Sequence, residues 1–136
     1  MKSFKDLDVW NKGIEFVAEI YKLTSRFPKD ELYGLVSQMR RAAVSIPSNI
    51  AEGQGRRNAK EFIQFLYIAK GSLAEIETQL IICQRLNYLE ESTNLFDDIK
   101  RLRTMLVGLI NALNKKQGFV KTPNRQNDTT LIQDKE

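Results

Sequence analysis

The sequence predicts an all-α protein, an antiparallel up-down-up-down four-helix bundle followed by a polar tail. Four segments repeat apolar residues at spacings of three and four, and none alternates with the period of two that is typical of strands. Short loops join these segments, which favours antiparallel neighbours. The chain has 136 residues, of which 42% are hydrophobic, and this is enough for one domain with a packed core.

The first predicted helix runs from about Asp8 to Arg26, with Asp8 as its N-cap and Pro28 marking its end. Its apolar residues form two adjacent stripes, one of Val9, Phe16, Ile20, Leu23 and Phe27 and one of Trp10, Ile14, Val17 and Tyr21. These stripes together are wider than one bundle core requires, and exposing Trp10, Tyr21 or Phe16 would be costly in a monomer. We therefore expect a subunit interface and a homo-oligomer.

The second predicted helix runs from about Asp30 to Glu52, and Pro47 lies inside its apolar pattern. Proline cannot donate a hydrogen bond to the carbonyl of Ala43, so we expect a kink or a break there. The segment Gly53-Gln54-Gly55 then predicts the stop and the turn.

The third predicted helix runs from about Asn58 to Leu86, with Asn87 as its C-terminal signal, and the fourth runs from about Ser92 to Lys116. The chain after the fourth helix is polar and has no helical period. We therefore assign residues 1–118 to the bundle and residues 119–136 to a flexible polar tail.

An antiparallel hairpin of the second and third helices places Ala42 opposite Ala69 and Arg40 opposite Gly71. Small residues on both helices let two backbones approach closely. This pairing gives Gly71 a packing role, although glycine costs about 1 kcal/mol inside a helix.

The composition excludes several kinds of chemistry. The chain has no histidine and a single cysteine, Cys83, so it has no Ser-His-Asp triad, no histidine metal ligand and no internal disulfide. We predict a protein that is not an enzyme and has no cofactor and no metal. The charged N-terminal residues have no apolar signal core, and no apolar run could span a bilayer, so we expect a cytoplasmic protein without a membrane partner.

A polar stripe lies inside the apolar pattern of the second helix, and the third helix carries a matching set of Ser72, Glu75 and Gln79. Such residues can form a buried network that holds the arginines of the second helix and sets the helix register, or they can line a ligand groove. Because buried polar groups usually just need partners, we favour the network. Its predicted members are Gln38, Ser45, Asn49, Glu52, Ser72 and Glu75.

The net charge of +4 is concentrated in one hairpin. Between Leu35 and Lys60 the only acidic residue is Glu52, whereas the rest of the chain carries 16 basic and 16 acidic residues. A local basic patch beside a glycine-containing turn and a helix N-terminus suits phosphate groups. The predicted nucleic-acid-binding residues are Arg40, Arg41, Arg56, Arg57 and Lys60. The alternative is a protein-interaction scaffold whose arginines pair internally with Glu52 and Glu75.

The segment from Gln38 to Gly53, QMRRAAVSIPSNIAEG, resembles the signature of the 23S rRNA intervening-sequence proteins, also called the S23 or four-helix-bundle protein family. Phe62 to Leu66 and Ile68 to Glu75 are also similar to that family, as are Phe4 to Trp10 and Phe27 to Leu35. The resemblance covers about residues 4 to 114.

The resemblance implies a four-helix bundle that assembles as a ring, a homopentamer with a central channel. Related proteins are the accessory variability determinants of diversity-generating retroelements, which bind reverse transcriptase and nucleic acid. The resemblance therefore implies RNA or DNA and a protein such as a reverse transcriptase as possible partners. It implies no enzymatic activity.

Overall fold

The computed structural model describes residues 3–117 of the chain. The predicted tail at 119–136 lies outside the described residues, as does the last residue assigned to the bundle, Gly118. Within the described part the chain is all-helical, without a strand, and none of its helices is long and apolar enough to cross a membrane.

Four long helices form the predicted bundle. They are α1 (Asp8–Thr24), α2 (Ser37–Gln54), α3 (Ala59–Arg85) and α4 (Leu95–Lys116). Each helix packs on the next along the chain, with the most extensive contact between α2 and α3, and α1 also contacts α4. The all-helical fold class predicted from apolar periodicity is therefore confirmed.

The core contains one apolar stripe from each helix, as the periodicity predicts. Its largest fully buried side chains are Phe16, Ile20, Met39, Ile46, Ile50, Leu66, Leu73, Ile76, Leu80, Ile99, Leu102 and Leu106. Phe16 is thus a core residue and cannot contribute to a subunit interface. Of the second stripe on α1, Trp10 is half-buried with its ring 5.1 Å from that of Phe4, whereas Ile14 and Tyr21 are exposed.

Two predicted helix starts are corrected. Asp8 is the first residue of α1 and does not cap it, because the N-cap position is occupied by Leu7, which makes no side-chain cap hydrogen bond. The helix predicted from Asp30 becomes regular only at Ser37. Before Ser37 the chain forms a short 3-10 turn and then a π-type turn at Leu32–Val36. Gly34 interrupts this segment with φ −113° and ψ −105°, a conformation outside the helical region that glycine adopts most readily.

We expected a kink or a break at Pro47, and the helix does not break there, since α2 continues through this residue to Gln54. Pro47 is buried where α1 passes, and a Cβ placed on Gly13 would lie 3.5 Å from the Cβ of Pro47. The ring of Pro47 therefore packs against Gly13, which has no side chain. Helix α2 thus packs closely on α1 at the position where its proline cannot donate a backbone hydrogen bond.

The predicted register of α2 and α3 is wrong by more than one helical turn, because Ser45 contacts Ser72. Gly71 is exposed, and a Cβ added there would meet no atom of residues 3–117 within 4 Å, so it has no packing role within this part of the chain. The position that requires glycine is 53, since Gly53 is buried inside α2. A Cβ at Gly53 would lie 2.7 Å from the Cβ of Phe65 and 3.2 Å from the carbonyl oxygen of Phe62.

Asn87 ends α3 as predicted, in a left-handed conformation with φ 63°. The N–H of Tyr88 donates to the carbonyl of Cys83 at 2.9 Å, and the N–H of Asn87 donates to the carbonyl of Gln84 at 3.1 Å. These two bonds define a Schellman motif, in which asparagine takes the position that glycine usually occupies.

Candidate nucleic-acid interface

The structure divides the five predicted basic residues into two groups at opposite ends of α2. Arg40 and Arg41 lie in its first turns, and Arg56, Arg57 and Lys60 lie in the turn to α3 and the first turn of α3. At 1.5 Å per residue, about 22 Å separates Arg41 from Arg56 along the helix axis. The hairpin therefore carries two basic surfaces, which we name the turn site and the cleft site.

The turn site consists of Arg56, Arg57 and Lys60, and Asn58 positions it by capping α3. The Oδ1 of Asn58 accepts a hydrogen bond of 2.9 Å from the backbone N–H of Glu61. Arg56 donates from Nη2 to the Oε2 of Glu52 at 2.8 Å, and its guanidinium carbon lies 4.8 Å from the ring centre of Phe65. Arg56 is thus held against both helices of the hairpin.

Arg57 and Lys60 are exposed, and within residues 3–117 neither has a hydrogen-bond or ion-pair partner for its side chain. Both lie beside the N-terminus of α3, where the backbone dipole is positive. The turn is not a glycine-rich phosphate cradle, because Gly53 is buried in the contact between α2 and α3. The groups that this site presents are therefore the two side chains and the helix end.

Arg40 binds α1 and lies away from the predicted network. Its Nε donates to the Oγ1 of Thr24 at 2.9 Å, its Nη2 donates to the carbonyl of Tyr21 at 3.3 Å, and its guanidinium lies 4.4 Å from the ring centre of Tyr21. The hydroxyl of the buried Thr24 donates in turn to the carbonyl of Ile20 at 2.8 Å. Arg40 therefore satisfies polar groups at the C-terminal end of α1.

The predicted polar network is present in part. The hydroxyls of Ser45 and Ser72 are 2.7 Å apart, and the Nδ2 of Asn49 donates to the carbonyl and hydroxyl oxygens of Ser45 at 2.8 and 2.9 Å. Gln38 and Glu75 are exposed and lie outside this cluster. Glu52 pairs with Arg56, so neither acidic residue pairs with Arg40 or Arg41. The register does not explain the error, because the contact of Ser45 with Ser72 puts Glu75 level with Ala42 along the hairpin. Glu75 stays outside the cluster because it lies on the exposed face of α3.

The cleft site is an open groove between the end of α1, the π-type turn and the start of α2, with a volume of about 490 Å³. Sequence reasoning identified Arg40 and Arg41 but not the cleft or the exposed ring of Tyr33. The signal that could have found it is Gly34, a helix breaker inside the apolar pattern. The lining residues are Tyr21, Leu32, Tyr33, Val36, Ser37, Arg40, Arg41 and Val44.

Cys83 is a core residue whose Sγ lies 3.7 Å from the Sδ of Met39. Burial, together with the negative charge of Glu31, raises the pKa of its thiol to about 11. The thiol is therefore protonated near neutral pH and unsuited to act as a nucleophile. Within residues 3–117, no three acidic or cysteine side chains cluster in a way that could hold a metal ion.

The model of the protein family described as 23S rRNA-intervening sequence protein matches residues 5–108. The match includes all of α1, α2 and α3, both basic sites and most of α4. A comparison with curated proteins finds no match. The family match covers well over half of the chain and agrees with the helical bundle. The chain belongs to the 23S rRNA-intervening sequence protein family.

Proposed function

We propose that this chain is a non-enzymatic, homo-oligomeric four-helix-bundle protein that binds the backbone of RNA or DNA through the turn site. The observation that carries this proposal is the pair Arg57 and Lys60, two exposed cations without an ion-pair partner among residues 3–117. They lie beside the positive end of α3, a helix of 27 residues. A phosphate placed there would meet two cationic side chains and the helix dipole together.

The distribution of charge supports the same site. The segment from Leu35 to Lys60 holds five basic residues and only Glu52 as an acid, while the rest of the chain is neutral overall. Contacts from such residues to phosphates release counterions, so binding should weaken steeply as salt increases. Contacts to phosphates carry no sequence information, and we therefore expect little sequence preference.

Exposed apolar residues on α3, between Tyr67 and Leu86, support the homo-oligomer. The same part of α3 contains two exposed small residues, Gly71 and Ala74, which would let a helix of a second subunit approach closely. The ring-shaped homopentamer that the family resemblance implies is the assembly we propose, because it would repeat the turn site in each subunit. The exposed apolar residues of α3 are Tyr67, Ile68, Ile81, Ile82 and Leu86.

A protein-interaction scaffold is the second candidate, and the internal contacts of two arginines favour it. Arg40 is bound to Thr24 and Tyr21, and Arg56 is paired with Glu52, so these residues have structural roles. If the relation to accessory variability determinants extends to this chain, the partner would be a reverse transcriptase. This candidate predicts no salt-sensitive binding of nucleic acid by the purified protein.

The test is a titration of a labelled RNA or DNA strand at low and physiological salt, combined with light scattering for the oligomer. Arg57→Gln with Lys60→Gln should weaken binding at low salt by about tenfold and reduce the salt dependence by about two phosphate contacts. The matched control is Lys100→Gln with Arg101→Gln, which removes the same charge from exposed positions on α4.

The control pair should bind nearly as well as the unchanged protein. Equal losses in both pairs would show that net charge alone attracts the strand and that the turn is not the site. Absence of any salt-sensitive binding would refute the nucleic-acid function and leave the scaffold. A monomer in light scattering would refute the oligomer.

A further inference from the structure

The cleft site lies at the end of α2 opposite the turn site and has no role in the proposed backbone contact. Its most exposed side chain is Tyr33, with 92% of its surface accessible, and Leu32 beside it is 49% accessible. An aromatic ring in this position loses apolar burial without gaining a contact within the described chain. The surface therefore suits a ligand with a flat apolar face.

The backbone of the π-type turn produces this exposure. Gly34 leaves the helical region, so the chain bulges before α2 begins at Ser37, and Tyr33 lies on the bulge. Nearby, Arg40 is held by Thr24 and packs over the Tyr21 ring, which orders that side of the cleft. The cleft thus has one ordered wall and one projecting aromatic residue.

The charge of the cleft indicates an anionic ligand. Two arginines line it and no acidic residue does. The closest acid along the chain, Glu31, accepts a hydrogen bond of 3.0 Å from the hydroxyl of Tyr88. Arg41 is exposed and has one weak bond to Ser37 at 3.3 Å, so most of its donors remain available.

We propose that the cleft site binds one unpaired base and its phosphate, with Tyr33 stacking on the base and Arg41 binding the phosphate. Arg40 acts as a positioning residue that holds the Tyr21 side of the cleft. The inference rests on the proposed nucleic-acid function and adds a substrate class to it, namely single strands. Bases in a duplex are stacked on each other, so only an unpaired base offers a free face to Tyr33.

The position of the cleft relative to the turn site favours nucleic acid over an acidic peptide. Arg41, Ser48 and Glu52 are spaced by seven and four residues, so they share one exposed face of α2. This face runs from the cleft to the turn over about 22 Å, and the charge of Glu52 is matched by Arg56. A single strand lying on it would reach both basic sites, whereas a short acidic peptide in the cleft would leave the turn site unused.

The experiment compares the full-length protein and its variants in binding oligothymidylate and a duplex of the same length, measured by fluorescence anisotropy. Tyr33→Ala should weaken single-strand binding by about tenfold, as expected for loss of one stacked base, and leave duplex binding unchanged. Tyr33→Phe keeps the ring and should restore single-strand binding. Arg41→Gln should weaken single-strand binding more than Arg101→Gln, the matched change on α4.

Each other outcome counts against the inference. Unchanged single-strand binding by Tyr33→Ala, or equal losses for single strand and duplex, overturns it while the proposed function stands, provided that the turn-site variant still loses binding. Failure of the unchanged protein to bind either nucleic acid overturns both. A labelled polyglutamate peptide is the second probe. If the unchanged protein binds it, and Tyr33→Ala abolishes that binding but leaves the binding of oligothymidylate unchanged, the cleft would be assigned to an acidic protein partner.

Discussion

The two ends of α2 carry the same kinds of residues and use them in opposite ways. At the turn end, Gly53 is buried and lets α2 and α3 meet without a side chain between them. At the cleft end, Gly34 takes a non-helical conformation and pushes the chain outward. Gly53 permits a close contact between two helices, whereas Gly34 exposes the segment before α2. The difference is that, within residues 3–117, a second helix packs against Gly53 and none packs against Gly34.

The arginines show the same contrast. Arg56 pairs with an acid four residues away on its own hairpin, an exposed i to i+4 pair of small energetic value. Arg40 crosses to α1 and binds a buried hydroxyl and a backbone carbonyl. A basic residue in this family motif can therefore be a structural tie between helices, and its charge alone does not identify a binding residue.

The largest expected effect concerns the core beneath the cleft end, where Cys83 contacts Met39. If the core beneath the cleft stays closed, the thiol of Cys83 in the native protein should react slowly with a disulfide reagent at pH 8. We expect a rate at least about a hundredfold lower than in the unfolded chain. The raised pKa alone lowers its thiolate fraction by about that factor, and burial adds to it. As the single cysteine, Cys83 gives an unambiguous signal, and fast native labelling would show that this end opens.

The second effect tests the closed end. Gly53→Ala should lower the free energy of unfolding by about 1–3 kcal/mol, because the new methyl group would collide with Phe65 and with the backbone of Phe62. Gly108→Ala is the control, since a Cβ on that exposed helical glycine meets nothing, and it should raise stability by about 0.5–1 kcal/mol. Urea unfolding followed by circular dichroism at one protein concentration measures both. Stabilisation by both substitutions would mean that the helices do not meet closely at Gly53.

The third effect tests the tie between α2 and α1. Arg40→Ala should lower the free energy of unfolding by about 1–2 kcal/mol, because it removes a charged donor from Thr24 and the guanidinium from the Tyr21 ring. Arg41→Ala, the adjacent exposed arginine, should change stability by less than about 0.5 kcal/mol. The same urea experiment compares them, and equal effects would remove the distinction between the two arginines.

The smallest effect concerns the exposed pair at the turn end. Glu52→Gln should change stability by less than about 0.5 kcal/mol, since the pair with Arg56 is solvent-exposed. It should also strengthen nucleic-acid binding slightly, because it removes the only acid between Leu35 and Lys60 and releases Arg56. Anisotropy at low salt measures this change, and weaker binding would indicate that Glu52 holds Arg56 in its binding position.

Much of the candidate site could be located from the sequence, but its internal partners could not. The basic residues follow from composition and position, and Asn58 and Asn87 occupy the helix ends that their local signals predict. The partner of Arg40 was missed because Thr24 lies on another helix, and its distance depends on how α1 and α2 pack. The cleft was missed because the apolar pattern continues through Gly34 and conceals the change in backbone conformation.

The sequence by itself determined the number of helices, most of their approximate ends and the faces that form the core, because helical period and capping are local properties. The start of α2 is the exception, since it begins at Ser37 and not at Asp30. Only the tertiary structure decided which glycine allows close packing, Gly53 and not Gly71, and which residues of α2 and α3 stand opposite each other. A helix presents the same periodic stripe after sliding by one turn along its neighbour. Its register therefore depends on side-chain contacts between segments distant in the chain, which a periodic pattern does not specify.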